Sequence, residues 1–446
     1  MQHCDSLILA RWIVPVAPPE AVLTEHAVAV GEGRILDVLP IPEARARYRP
    51  GTVVDRPNHV LIPGLVNAHT HAAMTVFRGI ADDMPLERWL TDGVWPAEKR
   101  WASAEMVRDG TRHAIAEMLL SGVTCFGDQY FFPEIVARTA VDLQMRAVVG
   151  TPVIDFATAW AADASEYIDK GTELVHDAFA DEPLVTSSFA PHSTYVVSDE
   201  AFRKLRVVAD QLDVRIQIHL HETAHEVDDA VRGTGRRPLE RLAELGLVNA
   251  SLLAVHAVHL EEREIELLAE AGACVAHCPR SNLKLASGIA PVTALQSAGV
   301  TVAIGTDGAA SNNVLDMLGE MRSAALLAKV RAGNAAALRA PEALRMATLD
   351  GARALGLADS IGSIEAGKWA DLACIDMQAI NSQPVYDPVS QLVYTVHPEQ
   401  VCDVWVAGRH HVENHRLTRI NEAEVLQRSL EWQQRISAET GKRPTP

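Results

Sequence analysis

The sequence predicts an α/β fold, a (β/α)8 barrel of the TIM type with a small discontinuous β-sandwich domain built from both chain ends. Three observations predict it. Between residue 62 and about 360, eight short β-rich runs alternate with amphipathic helical stretches, the pattern of parallel strands joined by crossover helices. Residues 1–61 and 361–420 instead read as short strands punctuated by turn residues. Four of the β-like segments, PGLVNAHTH, QIHLHET, LLAVHAVHL and VAIGTDGAASNN, end in histidine or aspartate, and a barrel of this kind carries its chemistry at the C-terminal ends of its strands.

In chain order, SLILARWIVP, HAVAVGEGRILDVLP and TVVDRPNHVLIPG give the first part of the small domain, residues 1–61. The barrel, residues 62–360, follows with LIPGLVNAH, VTCFGDQ, MRAVVG, LVTSSFAPH, VRIQIHL, LLAVHA, ACVAHC and TVAIGTD as its eight strands. Between them, SAEMVRDGTRHAIAEMLLSG repeats apolar residues at three- and four-residue steps and stops at Gly122; DEAFRKLRVVADQL has the same periodicity. Ala- and Leu-rich helices run to about 357, after which GSIEAGKWADLACIDM and VCDVWVAGRHHVE complete the small domain at 361–420. Asn421 followed by Glu424 is a capping-box-like start, so residues 421–446 read as a surface helix and a tail whose end, GKRPTP, is expected to fray. The chain shows no internal repeat and no low-complexity linker.

Composition narrows the function. The 446 residues are enough for a large core, and 58 acidic against 40 basic residues give a net charge of −18. That charge repels phosphate backbones and anionic membrane surfaces, so neither nucleic acid nor membrane is an expected partner. The six cysteines lack Cys-x-x-Cys spacing and read as free, buried thiols of a reducing compartment. The first twenty residues offer no basic leader or small-residue cleavage site, and no segment is apolar for the ~20 residues that span a bilayer. A cytoplasmic location is the expectation.

The strand ends supply metal-ligand chemistry. His69 and His71 lie two apart, and alternation along a strand sends both rings to one side. His219 closes strand five and Asp307 closes strand eight, giving three imidazoles and one carboxylate, a set that suits one zinc ion with an open position for water. Iron, manganese or cobalt also suit these ligands. His221 lies two beyond His219 on the same face, and spacing does not choose between them. Asp128 ends strand two and reads equally as an orienting group or a turn residue; His277 ends strand seven and is left outside the ligand set.

PGLVNAHTH, HLHET, SNLKLASG and GTDGAASNN together closely resemble the amidohydrolase superfamily, in particular its methylthioadenosine/S-adenosylhomocysteine deaminase branch, over nearly the whole chain. The resemblance implies His69, His71, His219 and Asp307 as zinc ligands, Glu222 as proton shuttle and His256 as the histidine beside the hydrolytic water. It favours His219 over His221. It also implies substrate contacts from Glu98 to ribose hydroxyls and from His192 and Ser311, with Glu222, His256 and Asp307 as the catalytic set and an oligomer of identical chains as the assembly. LVTSSFAPH holds no lysine, the residue that bridges two metals in other branches, so a mononuclear centre is expected. The implied reaction is hydrolytic deamination of an adenosine-type nucleoside, a small-molecule substrate.

Specificity has its own signal. Relatives that handle S-adenosylhomocysteine well place arginine after strand three, whereas no arginine occurs here between Arg146 and Arg203. The segment offers Phe156 and Trp160 instead, surroundings in which an unpaired carboxylate is costly to desolvate. 5′-Methylthioadenosine is therefore expected to be preferred, adenosine accepted and S-adenosylhomocysteine poorer. Trp89, Trp95 and Trp101 lie in the long segment after strand one, and Trp89 is expected as a pocket wall. Chloro-s-triazine hydrolases, guanine deaminases and cytosine deaminases share the framework, and a non-catalytic barrel scaffold is the alternative of a different class. Cys274 and Cys278 lack the Pro-Cys-x-x-Cys of the cytidine-deaminase type of zinc enzyme and read as packing residues.

Overall fold

The computed structural model describes residues 1–440; the GKRPTP tail lies outside them. Sixteen strands form two eight-stranded sheets. The first sheet takes β1 (Gln2–Ile13), β2 (Leu23–Gly31), β3 (Arg34–Pro40) and β4 (Tyr48–Pro63) from the N-terminal end. The barrel strands are β5 (Leu65–Thr70), β6 (Val123–Gln129), β7 (Arg146–Val153), β8 (Val185–Pro191), β9 (Arg215–Leu220), β10 (Leu252–His256), β11 (Cys274–His277) and β12 (Thr301–Ile304). The chain then returns to the first sheet with β13 (Leu372–Asp376), β14 (Val401–Val406), β15 (Arg409–Glu413) and β16 (Arg416–Leu417).

The barrel strands pair in sequence order, each parallel to the next, as crossover helices require. Their side chains are buried on both faces, which is why they read as apolar runs instead of alternating patterns. Closure brings β12 against β5, where Asp307 N–H donates to the His69 carbonyl at 3.0 Å. Gly305 permits this approach, because a Cβ there would stand 2.8 to 3.0 Å from His69 backbone and side-chain atoms. The helix Ala104–Leu120 starts at Ser103, whose hydroxyl accepts from Met106 N–H, and ends before Gly122 at φ +87°.

The small domain is one continuous mixed sheet, in the order β16-β15-β14-β13-β4-β1-β2-β3, so strands from the two chain ends meet at β4 and β13. Apolar clusters cover parts of it, one around Ile8, Val28, Leu61 and Leu372 and another around Leu7, Leu9, Ala29 and Tyr48. The expected boundary at residue 61 moves, because Ile62 and Pro63 still pair with β13 and the barrel strand starts only at Leu65. An apolar run that serves two consecutive strands gives no internal mark of the change. The two sheets are tied by a buried ion pair in which Arg146 Nε, on β7, donates to Asp371 Oδ2 at 2.7 Å. The tail helix, Glu422–Thr440, begins at Asn421, whose side chain accepts from Ala423 and Glu424 N–H. Glu424 faces Arg112 instead of closing the cap, and the helix is seated through buried Trp432, so it is more than a surface appendage.

Candidate metal centre and active site

At the C-terminal mouth of the barrel, one ligand atom from each of His69, His71, His219 and Asp307 lies within 4.8 Å of the other three. Each imidazole is held by its Nδ1. His69 Nδ1 stands 3.2 Å from Gln217 Oε1, His71 Nδ1 is 2.5 Å from the Gln129 carbonyl, and His219 Nδ1 is 2.8 Å from the His192 carbonyl. Acceptors on all three Nδ1 atoms fix the tautomer and turn three Nε2 lone pairs toward one point. His69 Nε2 and His219 Nε2 approach to 3.2 Å, and Asp307 Oδ1 lies 3.1 Å from His71 Nε2 and 3.6 Å from His69 Nε2.

This is the arrangement a borderline-soft cation needs: three imidazole nitrogens, one carboxylate oxygen, and second partners that orient each ring. Burial pushes His69 down to about 4 and His219 well below its ordinary value, keeping both rings neutral. At His71 burial also acts downward, but Asp307 overrides it and pulls the ring up to about 9, so this point in the cluster favours positive charge. Among the described residues the donors fit a single ion, and β8 places no lysine here.

Asp307 sits beyond β12 at φ +59°. Its Oδ2 accepts from Ser281 at 2.6 Å and from Ser311 at 2.8 Å, while Oδ1 accepts from Gly308 N–H and faces the imidazoles. Ser311 was expected against substrate; it is buried and spends its hydroxyl on Asp307, outside the cavity lining. Short side chains one turn along a helix from an aspartate return to that aspartate.

An inner chamber of about 110 Å³ lies over the cluster and opens into an outer vestibule of about 1140 Å³. Trp89, Glu98, His192, Glu222 and His256 all line the inner chamber beside His71, His219 and Asp307. Burial and the nearby Asp307 charge push Glu222 up to about 8, so it carries a proton at neutral pH. Ser287 Oγ donates to its Oε1 at 3.4 Å, and His256 Nε2 is 3.7 Å from its Oε2. Asn282 holds His256 Nδ1 at 3.0 Å, and burial pushes that ring down to about 4. Burial also raises Glu98, to about 7, against the Tyr130 hydroxyl, which acts the other way.

The structure separates His219 from His221. Past the end of β9 the chain takes φ +53° at His221, whose ring turns away to accept from Leu239 N–H at 3.1 Å and to approach the His259 carbonyl. Spacing could not see a turn after the strand. His277 is buried at the end of β11 and lies outside the chamber lining. Asp128 Oδ1 accepts from Ala72 N–H at 2.7 Å, which holds the backbone directly after His71. Trp160 is buried and donates to Glu134 at 3.0 Å, so of the two aromatic residues after β7 only Phe156 lines the chamber.

Several supporting residues escaped sequence reasoning. Gln217 lies inside β9 and Gln129 ends β6 without a signal of their own, and Ser281, Asn282 and Ser287 lay inside SNLKLASG without a separable signal. A signal did exist for Glu226: Thr223-x-x-Glu226 has capping-box spacing, and Thr223 accepts from Glu226 N–H, but the Glu226 carboxylate reaches past the cap residue to accept from Glu222 N–H at 2.8 Å. That contact fixes the backbone of Glu222 in the chamber.

The amidohydrolase family matches residues 60–410. A 5-methylthioadenosine/S-adenosylhomocysteine deaminase of Teredinibacter turnerae is 46% identical over 97% of this chain and 98% of its own. Among solved structures, an adenosine deaminase from Xanthomonas campestris with bound zinc superposes with a TM-score of 0.97 at 50% identity, covering 98% of this chain and 99% of that one. An atrazine chlorohydrolase from Arthrobacter aurescens complexed with zinc gives a TM-score of 0.89 at 25% identity, covering 96% and 99%. The match across both domains, together with the four-ligand cluster at the barrel mouth, places this chain in the amidohydrolase family.

Proposed function

We propose that the chain is a zinc-dependent hydrolytic deaminase of adenosine-type nucleosides, converting 5′-methylthioadenosine to 5′-methylthioinosine and ammonia. Adenosine is accepted and S-adenosylhomocysteine is poorer. The observation that carries this reading is the placement of Glu222, whose carboxyl burial pushes upward, in the inner chamber beside the four-ligand cluster, with Glu98 in the same lining. The names of the similar proteins support it.

His69, His71, His219 and Asp307 are the residues that would hold zinc, which when bound lowers the pKa of water toward neutrality. Asp307 Oδ1 accepts a proton from the attacking water. Glu222 donates its proton to the ring nitrogen beside the carbon that bears the amine, so that carbon accepts the water oxygen without charge building on the ring. The C–N bond then breaks as Asp307 passes the proton collected from water to the amine, the hydroxyl now on the carbon returns its proton to Glu222 as the carbonyl forms, and ammonia leaves. His256, fixed by Asn282, orients the water, and His192 borders the same space. Glu98 binds the ribose hydroxyls and Trp89 walls the base. Ser311 acts through Asp307 and is assigned a positioning role in place of a substrate contact.

The substrate preference rests on the lining toward the vestibule. Phe156 and Tyr195 border both spaces while remaining 49% and 52% exposed, apolar surface suited to a thioether. Both vestibule arginines are already engaged, Arg241 by Asp199 at 2.8 Å and by backbone carbonyls and Arg236 by Glu244, which disfavours an amino-acid carboxylate there. A triazine hydrolase reading has the 25% identical chlorohydrolase behind it, but a carboxylate placed for a diol has no use on a triazine. A cytoplasmic location and assembly as a homo-oligomer complete the proposal; among the described residues no helix is long and apolar enough to cross a membrane.

The test is ammonia release from the three nucleosides, from guanine and cytosine, and from chloro-triazines by chloride release, with metal measured on the same sample. Specificity constants should fall from methylthioadenosine to adenosine to S-adenosylhomocysteine. The reverse order overturns the preference, and a protein inert toward every nucleoside overturns the reaction.

A further inference from the structure

The chamber's Glu98 is carried by Trp95–Trp101, the last part of a helical stretch that begins at Leu86 and passes through a π segment at Trp89–Val94, in the long connection after β5. A helical stretch of this length with a π turn in its middle is only marginally held by its own backbone, so its position comes largely from what it packs on. Trp101, one turn past Glu98, stands edge-on to Trp432 of the C-terminal helix, with ring centroids 6.3 Å apart and planes at 86°. Trp432 is itself pinned. Its indole N–H donates to Asp109 Oδ2 at 3.1 Å, and the Arg435 guanidinium lies 4.8 Å over its ring.

Asp109 belongs to Ala104–Leu120, the helix that follows Glu98's own after only Ala102 and Ser103. The C-terminal helix crosses it at further points, Ser429 to His113 at 2.9 Å and Arg435 to Glu105 at 3.4 Å. The tail is thus seated on one rigid helix, and Trp432 reaches from that seat to the next, weaker one. Trp432 is 4% exposed, an amount of burial that the surface of a barrel does not require of its last helix.

We propose that Trp432 is a positioning residue for Glu98: through Trp101 it sets where the Glu98 carboxylate meets the nucleoside hydroxyls. The inference rests on the proposed deaminase reading and on Glu98 as the ribose contact. A side chain 334 positions from Glu98 then governs binding of the sugar without touching it.

The test compares adenosine with 2′,3′-dideoxyadenosine, which lacks the hydroxyls, in W432A, W432F, E98A and the W432A/E98A pair. W432A should lower kcat/KM for adenosine on the order of ten- to a hundredfold, mostly through KM, and leave the dideoxy substrate near wild type. W432F should restore most of the loss, and W432A should add nothing once Glu98 is gone. If W432A is too unstable to purify, W101L removes the same contact from the partly buried side and should give the same substrate split. Equal losses on both substrates, or additivity with E98A, overturn the proposal while leaving a diol-selective wild type, and hence the deaminase reading, intact. A wild type that releases no ammonia overturns both.

Discussion

Among the described residues, two places gather ligand-type side chains closely enough to surround an ion, and only one of them is built to do so. At the barrel mouth are His69, His71, His219 and Asp307; in the small sheet are Cys374, Cys402 and Asp403. At the mouth, every imidazole is tethered by Nδ1 and leaves Nε2 free to converge on Asp307 Oδ1. In the sheet, Asp403 is already closed. Arg56 Nε and Nη2 donate to its two oxygens at 2.6 and 2.7 Å, His410 lies 3.1 Å from Oδ1, and the Cys402 thiol donates to Oδ2 at 2.9 Å. A guanidinium on the carboxylate repels a second cation. Proximity of ligand types therefore says little until the remaining lone pairs are counted.

The largest test of that contrast is metal content. His219→Ala should reduce bound metal from one equivalent to near zero and abolish ammonia release, while the Cys374→Ser/Cys402→Ser pair should keep the full equivalent. Loss of metal from the cysteine pair, or a wild-type content near two, would break the comparison.

Next in size is stability. Arg56→Ala leaves Asp403 buried against His410 and should cost about 3 kcal/mol, since removing one partner of a buried pair strands the other charge. A lowered thermal midpoint with metal content unchanged is the expected readout. The acid limb sharpens it: burial alone would raise Asp403, but His410 and Arg56 hold it well below the usual carboxylate range. A depressed folded value means that its contribution is complete above the unfolded pKa of about 3.9 and is lost as pH falls below it. Arg56→Ala should thus flatten the decline in midpoint below about pH 4, and an unchanged acid limb would refute the assignment.

The smallest effect belongs to Ser311. Its alanine variant removes one of two hydroxyls on Asp307 Oδ2 and should weaken metal affinity on the order of tenfold, with substrate KM little changed once metal is saturating. A KM effect at saturating metal would return Ser311 to a substrate contact.

All eight barrel strands could be read in the sequence because strands buried on both faces leave apolar runs, and intervening helices leave a 3.6-residue period. His69 and Asp307 stood out for the same reason, each being a polar residue at the end of an apolar run, whereas Glu222 was implied by the family resemblance. By itself, then, the sequence determined the fold class and the ligand types at the barrel mouth. Spacing left His219 and His221 open and the family resemblance favoured His219; the tertiary structure supplied the physical reason, because the turn at φ +53° lies beyond the strand period. It also decided that Trp160 packs away from the chamber while Phe156 faces it, that Ser311 serves Asp307, and that Trp432 meets Trp101. Local period reports which face a residue takes within one element; which distant partner waits on that face is set only when the elements pack.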